Sequence, residues 1–362
     1  MLEPAARRKF TLKRAYGVLV VLTVSAVAIV VRPSSNSLSS AHKLIESQMY
    51  WGDEDNIASW YGWRAPGHVL KSALADDGSY YLYDEQYDRP VGASIKIAKV
   101  GQPGTKCVEF LSVSPDGTRF LFPNYSELRA ANTGVVSYKG VGIDVINYTT
   151  HSTIKYADVS VDPAISLTWC GDSRHWVRAS PGKGNVKFEC HESESGRISQ
   201  VATINNPEGF EYLWLQPCYR EQAFYAIYGD KHSHYRLIAY DASNLFKRLR
   251  EYDVEPPTHD KFDYPNVSPN ETVILWVGHV DRSWPRCILQ RSANIVYATD
   301  MHGGHAVELA RVEINPSVQL FAFDQDQFDV RWLPGGEDVS VMYKGGMYVL
   351  PVKPPNPSLI TP

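Results

Sequence analysis

Short apolar and aromatic runs, each broken by a polar turn, follow one another from Val69 to Val352. The clearest instance is the segment Leu111 to Phe122, where Ser114, Pro115, Asp116 and Gly117 separate two strand-like stretches. Related phrases recur at Leu74 to Gly78, Trp169 to Ser173, Leu215 to Cys218, Val267 to Asn270 and Trp332 to Gly336, giving six copies at intervals of some tens of residues. Proline presets its own φ, Asp or Asn bonds back to the local backbone, and Gly accepts a positive φ, so each phrase predicts a chain reversal. The flanks are β-branched or aromatic, as in Thr272 to Val277 and Val339 to Tyr343, which favours strands on both sides.

A second periodic element follows each reversal: a further strand and then a polar turn. Ser94–Val100, Gly142–Tyr148, Val186–Cys190, Tyr235–Tyr240, Ile295–Thr299 and Gly346–Leu350 are the strands. Each unit therefore reads as four strands, the content of a propeller blade, and the spacing falls in the range expected of stacked units. The last unit has room for only three, because Lys353 to Pro357 is too rich in proline to pair in a sheet. An open edge would expose unpaired backbone, so a segment within Lys43 to Trp63 is expected to supply the missing outer strand and close the ring. The fold class predicted is all-β: a six-bladed β-propeller whose N-terminal strand completes the last blade, preceded by one transmembrane helix.

With Ser114-Pro-Asp-Gly117 before an apolar strand, and a strand ending in Asp300 to Gly304 before Val307 to Leu309, the chain resembles the WD-like repeat of TolB-type propellers. The resemblance covers nearly all of residues 69–352, although Cys170-Gly171 replaces Ser-Pro in the third copy and Cys218 replaces Asp in the fourth. It implies six blades and a platform for binding protein or ligand. It implies no activity, because propellers host unrelated functions.

The N-terminus follows a different pattern. Arg7, Arg8, Lys9, Lys13 and Arg14 precede 17 uncharged residues, Ala15 to Val31. Such a run spans roughly 26 Å as a helix, enough for a thin bilayer core. The positive flank keeps residues 1–14 in the cytoplasm and sends the remainder across. The expected organisation is a basic cytoplasmic tail at 1–14, a transmembrane signal-anchor at 15–31, a flexible serine-rich stalk at 32–42, the propeller at 43–352 and a proline-rich tail at 353–362. A signal peptide cleaved after Ala26-Val-Ala28, or a twin-arginine signal at Arg7-Arg8, would also export the domain. A leader of the pilin kind around Phe10 is disfavoured by Arg14.

Net charge is −4 and the pI about 6.3. Lys and Arg are scattered beyond the tail, and the one cluster, Lys247-Arg248-Leu-Arg250, reads as a solvated outer strand, so nucleic acid is not an expected partner. Five cysteines, at 107, 170, 190, 218 and 287, match no zinc spacing. Either all five are buried thiols or one pair is bridged, and Cys170 with Cys190, in the same unit, is then the preferred pair. Asn124, Asn147, Asn266 and Asn270 head glycosylation acceptor triplets, which matter only in a eukaryotic host.

Candidate chemistry is sparse. Asp300, His302 and His305 carry ordinary metal-ligand groups, but on a turn that is expected to face solvent; His232 and His234 sit just before a strand and are read as polar surface. No nucleophile elbow, His-Glu-x-x-His helix or phosphate-cradling loop is present, and no cofactor is expected. Trp51, Trp60, Tyr61 and Trp63 crowd the segment before the first blade, either as core fillers or as a binding face, with exposure deciding between them. The expected function is a membrane-anchored, extracytoplasmic binding or scaffold module for a protein or glycan. The alternatives are an enzyme with a metal-assisted site at the axis and a catalytically silent relative of the propeller domains of dipeptidyl peptidases.

Overall fold

The computed structural model describes residues 42–45, 61–74, 79–86, 94–100, 112–129, 136–156, 167–258, 261–262, 265–280, 292–313, 328–343 and 346–352. They form six antiparallel sheets. Blade 1 comprises Tyr61–Ala65, His68–Leu74, Tyr80–Gln86 and Ser94–Val100; blade 2 Ser112–Val113, Arg119–Arg129, Val136–Asn147 and Thr153–Tyr156. Blade 3 comprises Leu167–Trp169, His175–Pro181, Asn185–Glu192 and Ile198–Asn205; blade 4 Tyr212–Pro217, Ala223–Gly229, Tyr235–Asp241 and Lys247–Val254. Blade 5 has a divided inner strand, Lys261–Phe262 and Asn266–Val267, followed by Val273–Val280, Ala293–Asp300 and Val307–Glu313. Blade 6 comprises Phe328–Trp332, Asp338–Tyr343 and Gly346–Pro351, with His42–Ile45 as its fourth strand.

The blades close on themselves. His42 pairs with Val349 and Ile45 with Met347, so a segment at the edge of the expected window completes the last sheet. Apolar faces of neighbouring blades meet in turn: Leu82 and Val100 with Phe120, Val145 with Trp169, Phe188 with Phe224, Ile227 with Trp276, and Leu275 with Val341. The ring is completed by Trp63 of blade 1, whose Nε1 donates to Ser340 Oγ of blade 6 at 2.8 Å. Burial of that interleaved apolar surface, at about 25 cal/mol per Å², is the main source of stability.

The recurrent turns touch one another around the ring. In blade 2, Asp116 Oδ1 accepts from Ser114 Oγ (2.6 Å) and from Thr118 N (3.0 Å), while Asp116 N donates to Ser173 Oγ of the blade 3 turn at 3.0 Å. Gly171 packs on the Cys218 carbonyl, Cys218 Sγ donates to Glu271 Oε1 at 3.0 Å, and Asn270 Nδ2 donates to the Gly336 carbonyl at 3.2 Å. Gly117, at φ 69°, lies on the Arg64 carbonyl so closely that a Cβ would collide with it.

Two expectations need correction. The phrase ending at Gly78 lies between the second and third strands of blade 1; its inner turn is Pro66-Gly67, with Gly67 at φ 75°. Ser94–Val100 is accordingly an outer strand. Asp-Asp-Gly is a stronger turn signal than Ala-Pro-Gly, and it drew the register one strand too far along. The second correction concerns Cys170 and Cys190, which are free, buried thiols. Cys170 follows the strand Leu167–Trp169 and Cys190 lies on Asn185–Glu192, with His175–Pro181 between those two strands. Both side chains reach the same core between blades 3 and 4, where the two thiols meet without a bond between them.

The proposed transmembrane segment 15–31, Trp51 and Trp60 lie outside the described residues. Among the described residues no helix is long and apolar enough to cross a membrane.

A cleft between blades 4 and 5 as the candidate functional site

Two loops built on the same device face each other across the boundary of blades 4 and 5. Between the second and third strands of blade 4, Asp230 Oδ1 accepts from the backbone N of His232 (2.7 Å) and of His234 (2.8 Å), and Ser233 takes a positive φ to allow the wrap. Between the third and outer strands of blade 5, Asp300 Oδ1 accepts from the backbone N of His302 (2.8 Å) and of Gly304 (2.9 Å). Short Asp side chains bond their own backbone two residues on, and both loops use this preference. Gly303, at φ 77°, rests against the backbone of Glu255, which seats the blade 5 turn on the end of the blade 4 outer strand.

A cleft of about 610 Å³ lies between them, lined among others by Phe210, His234, Arg236, Glu255, Pro257 and His302. Arg236 is opposite Asp253 in the ladder, and its Nε and Nη2 donate to the two carboxylate oxygens at 2.6 and 3.2 Å. The same guanidinium sits 5.1 Å from the Phe210 ring centroid, a cation–π distance. The Asp253 bond raises the Arg236 pKa further. His234 Nδ1 lies 3.2 Å from Asp230 Oδ2, and its Nε2 lies 3.5 Å from Glu255 Oε1. His302 meets Tyr252 edge-on at 5.5 Å. The walls thus combine aromatic and proline surface with carboxylates, one tethered guanidinium and two imidazoles, a mixed lining of apolar surface and a few polar groups.

Of the expected candidates, His234 and His302 come together at this cleft from different blades, whereas His232 and His305 are not among its lining residues. Asp300 is committed to shaping its turn. Among the described residues no three His, Cys, Asp or Glu are placed to share a metal. Trp63 is buried and bonded across the ring, so its role is packing, while Tyr61 lies on the inner strand of blade 1.

Two further polar clusters had no signal in the chain pattern. Asp84, fully buried, accepts from Arg64 Nε (3.1 Å) and Tyr148 OH (2.9 Å) and lies 3.1 Å from His68 Nδ1, joining blades 1 and 2. Glu271 is the counterpart between blades 4 and 5. It faces Arg250 Nη1 at 2.7 Å, Cys218 Sγ at 3.0 Å and Tyr225 OH at 3.4 Å. Burial and the Glu271 bond push the Cys218 thiol up to about 12. Both clusters are saturated internally and serve to join blades.

No protein-family model and no curated protein sequence matches the chain. Solved structures do resemble it. TolB from Acinetobacter baumannii matches over 70% of this chain and 54% of its own, at 12% identity and a TM-score of 0.41, so the chain spans about half of that relative's length. A putative TolB from Agrobacterium tumefaciens matches over 81% and 89%, at 13% and 0.42. The likeness to TolB-type propellers is one of fold. An oligogalacturonate lyase in complex with manganese matches over 89% and 96%, at 10% and 0.45. At such identities and scores none of these proteins bears on what this propeller binds or does.

Proposed function

We propose that this chain is a single-pass, membrane-anchored propeller outside the cytoplasm, acting as a binding platform that takes a protein partner into the cleft between blades 4 and 5. The observation that carries the reading is the cleft itself. It draws Phe210, His234, Arg236 and Glu255 from blade 4, and the His302 turn from blade 5, into one concave surface of about 610 Å³. Aromatic and proline walls supply contact area at low entropic cost, and the rim charges supply orientation. The uncharged run at 15–31 with its basic flank supports the anchor.

The test is site-specific photocrosslinking with the full-length chain in its native membrane. A crosslinker in place of Glu255 is expected to trap a discrete protein, one in place of Glu194 on blade 3 is not, and Phe210→Ala is expected to abolish the product well below its melting temperature, which the loss of its packing on the core between blades 3 and 4 lowers. Equal trapping from both positions, or trapping indifferent to Phe210, would remove the cleft from the reading. Alkaline extraction tests the anchor separately, since a chain released by carbonate is not a membrane-spanning one.

A further inference from the structure

The turn between the third and outer strands of blade 4 contains an anomaly that its own packing only half explains. Lys247 N donates to the Asn244 carbonyl at 2.9 Å, and the two residues between, Leu245 and Phe246, have φ of 47° and 56°. This is the geometry of a type I′ turn, whose central positions favour Asn-Gly because side chains with a bulky Cβ resist positive φ. Phe246 has a reason to be there. Its ring is buried, 5.5 Å from Phe188 and 6.0 Å from Phe224 in the core between blades 3 and 4.

Leu245 has no such reason. At 67% exposure it is the most open large apolar side chain among the described residues, held into water by a backbone conformation that leucine disfavours. Strain concentrated on an exposed apolar tip points to a contact that covers it. The charges beside the tip indicate what that contact is. Lys247 follows on the exposed outer strand, Arg248 has a half-exposed side chain, and Leu249 is exposed at 41%. The acidic neighbours are Asp241, whose carboxylate accepts from Ser243 N and Oγ within the turn, and Glu251, 3.3 Å from Arg248 Nη1.

We propose that this turn is a membrane contact: Leu245 enters the acyl boundary of a bilayer, and Lys247 and Arg248 engage anionic lipid headgroups. A leucine tip followed by cations matches a leaflet that carries anionic headgroups over an acyl layer. So small a footprint binds weakly by itself, and the inference rests on the proposed anchor, which keeps the propeller close to the bilayer at high effective concentration.

The experiment places an environment-sensitive fluorescent amino acid at position 245 of the full-length chain. The chain is mixed with vesicles of phosphatidylcholine alone, or of phosphatidylcholine with phosphatidylglycerol, and flotation is scored in parallel. The expected result is a blue shift on the anionic vesicles that is absent on the neutral ones and lost in Lys247→Glu/Arg248→Glu, a variant checked for unchanged thermal unfolding. A chain that floats with both vesicle types but shows no shift overturns the contact and leaves the anchor standing. A shift on anionic vesicles by a chain that does not float with neutral ones keeps the contact and removes the anchor. No flotation and no shift overturn both. A shift that grows with protein concentration in vesicle-free solution assigns Leu245 to a protein interface and likewise overturns the membrane contact.

Discussion

Replacing Glu271 tests how blades 4 and 5 are held together. The side chain is 2% exposed, with Arg250 at 2.7 Å and two neutral donors, Cys218 Sγ at 3.0 Å and Tyr225 OH at 3.4 Å. Glu271→Ala strips the acceptor from both donors and the counter-charge from Arg250. Breaking a buried pair costs about 3–5 kcal/mol, but Arg250 is 35% exposed and water can partly re-solvate it, so we expect about 2–4 kcal/mol. Glu271→Gln keeps one acceptor oxygen but loses the charge and turns the other oxygen into an NH2 donor against Cys218 or Arg250, for about 1–3 kcal/mol. Position 271 also has φ 57°, so Glu271→Gly should recover about 1 kcal/mol relative to alanine. For a ring of roughly 300 residues, at about 2.1 cal/mol/K per residue, the alanine variant should melt about 3–6 °C lower. Urea unfolding of the wild type, Glu271→Ala, Arg250→Ala and the double variant gives the coupling, expected at about 1.5 kcal/mol or more. An alanine variant within about 0.5 kcal/mol of wild type, or strictly additive changes, would refute the account of Glu271 as the joint between these blades.

Other perturbations probe the ring elsewhere. Gly117→Ala adds a Cβ at φ 69° against the Arg64 carbonyl, and denaturant titration should show a loss of about 2–5 kcal/mol. Trp63→Phe removes the buried bond to Ser340 and should cost about 1–2 kcal/mol, a loss that Ser340→Ala should largely share in a double-mutant cycle. His191 stacks on Trp176 at 4.0 Å, and burial lowers its pKa below the ordinary 6.5. The unfolded chain therefore takes up the proton first as pH falls. The neutral imidazole's contribution is present above about pH 6.5 and lost below it, until the folded form also protonates. His191→Phe should flatten that part of the stability profile; an unchanged slope between pH 6.5 and 5 would argue against it. In the cleft, Glu255→Lys should weaken trapping by a crosslinker placed instead of His302, without shifting the melting temperature, because its carboxylate is 73% exposed.

What could be read from the chain alone was set by local turn chemistry. Pro115, Asp116 and Gly117 act on their own backbone, and so do Pro269-Asn270 and Pro334-Gly335, so these reversals are visible without knowing the fold. Blade 1 was displaced because Pro66-Gly67 is a weaker phrase than the Asp-Gly that follows. The divided inner strand of blade 5 left no trace either. Its gap is bridged by Gln216 of blade 4, which donates to the Pro265 carbonyl and accepts from Val267 N, both at 2.9 Å. Cys170 and Cys190 fall in one blade, as their spacing suggests, but membership of a sheet does not say whether two thiols are joined. The cleft was the least legible feature. His234 and His302 could be singled out as residues, yet only the seating of Gly303 on Glu255 makes them walls of the same space.

The pairing of His42–Ile45 with Gly346–Pro351 also governs when the molecule can finish folding. A ribosome makes the first of these strands about 300 residues before its partner, roughly 15–60 s at ordinary elongation rates. Throughout that interval blades 1 to 5 can assemble, but an early strand and the Trp63 indole both wait for blade 6. A chain interrupted before Gly346 is therefore an unclosed arc with two sticky ends. Closure is all-or-nothing: the strand Gly346–Pro351 decides whether His42–Ile45 is ever safe from pairing with a neighbouring copy.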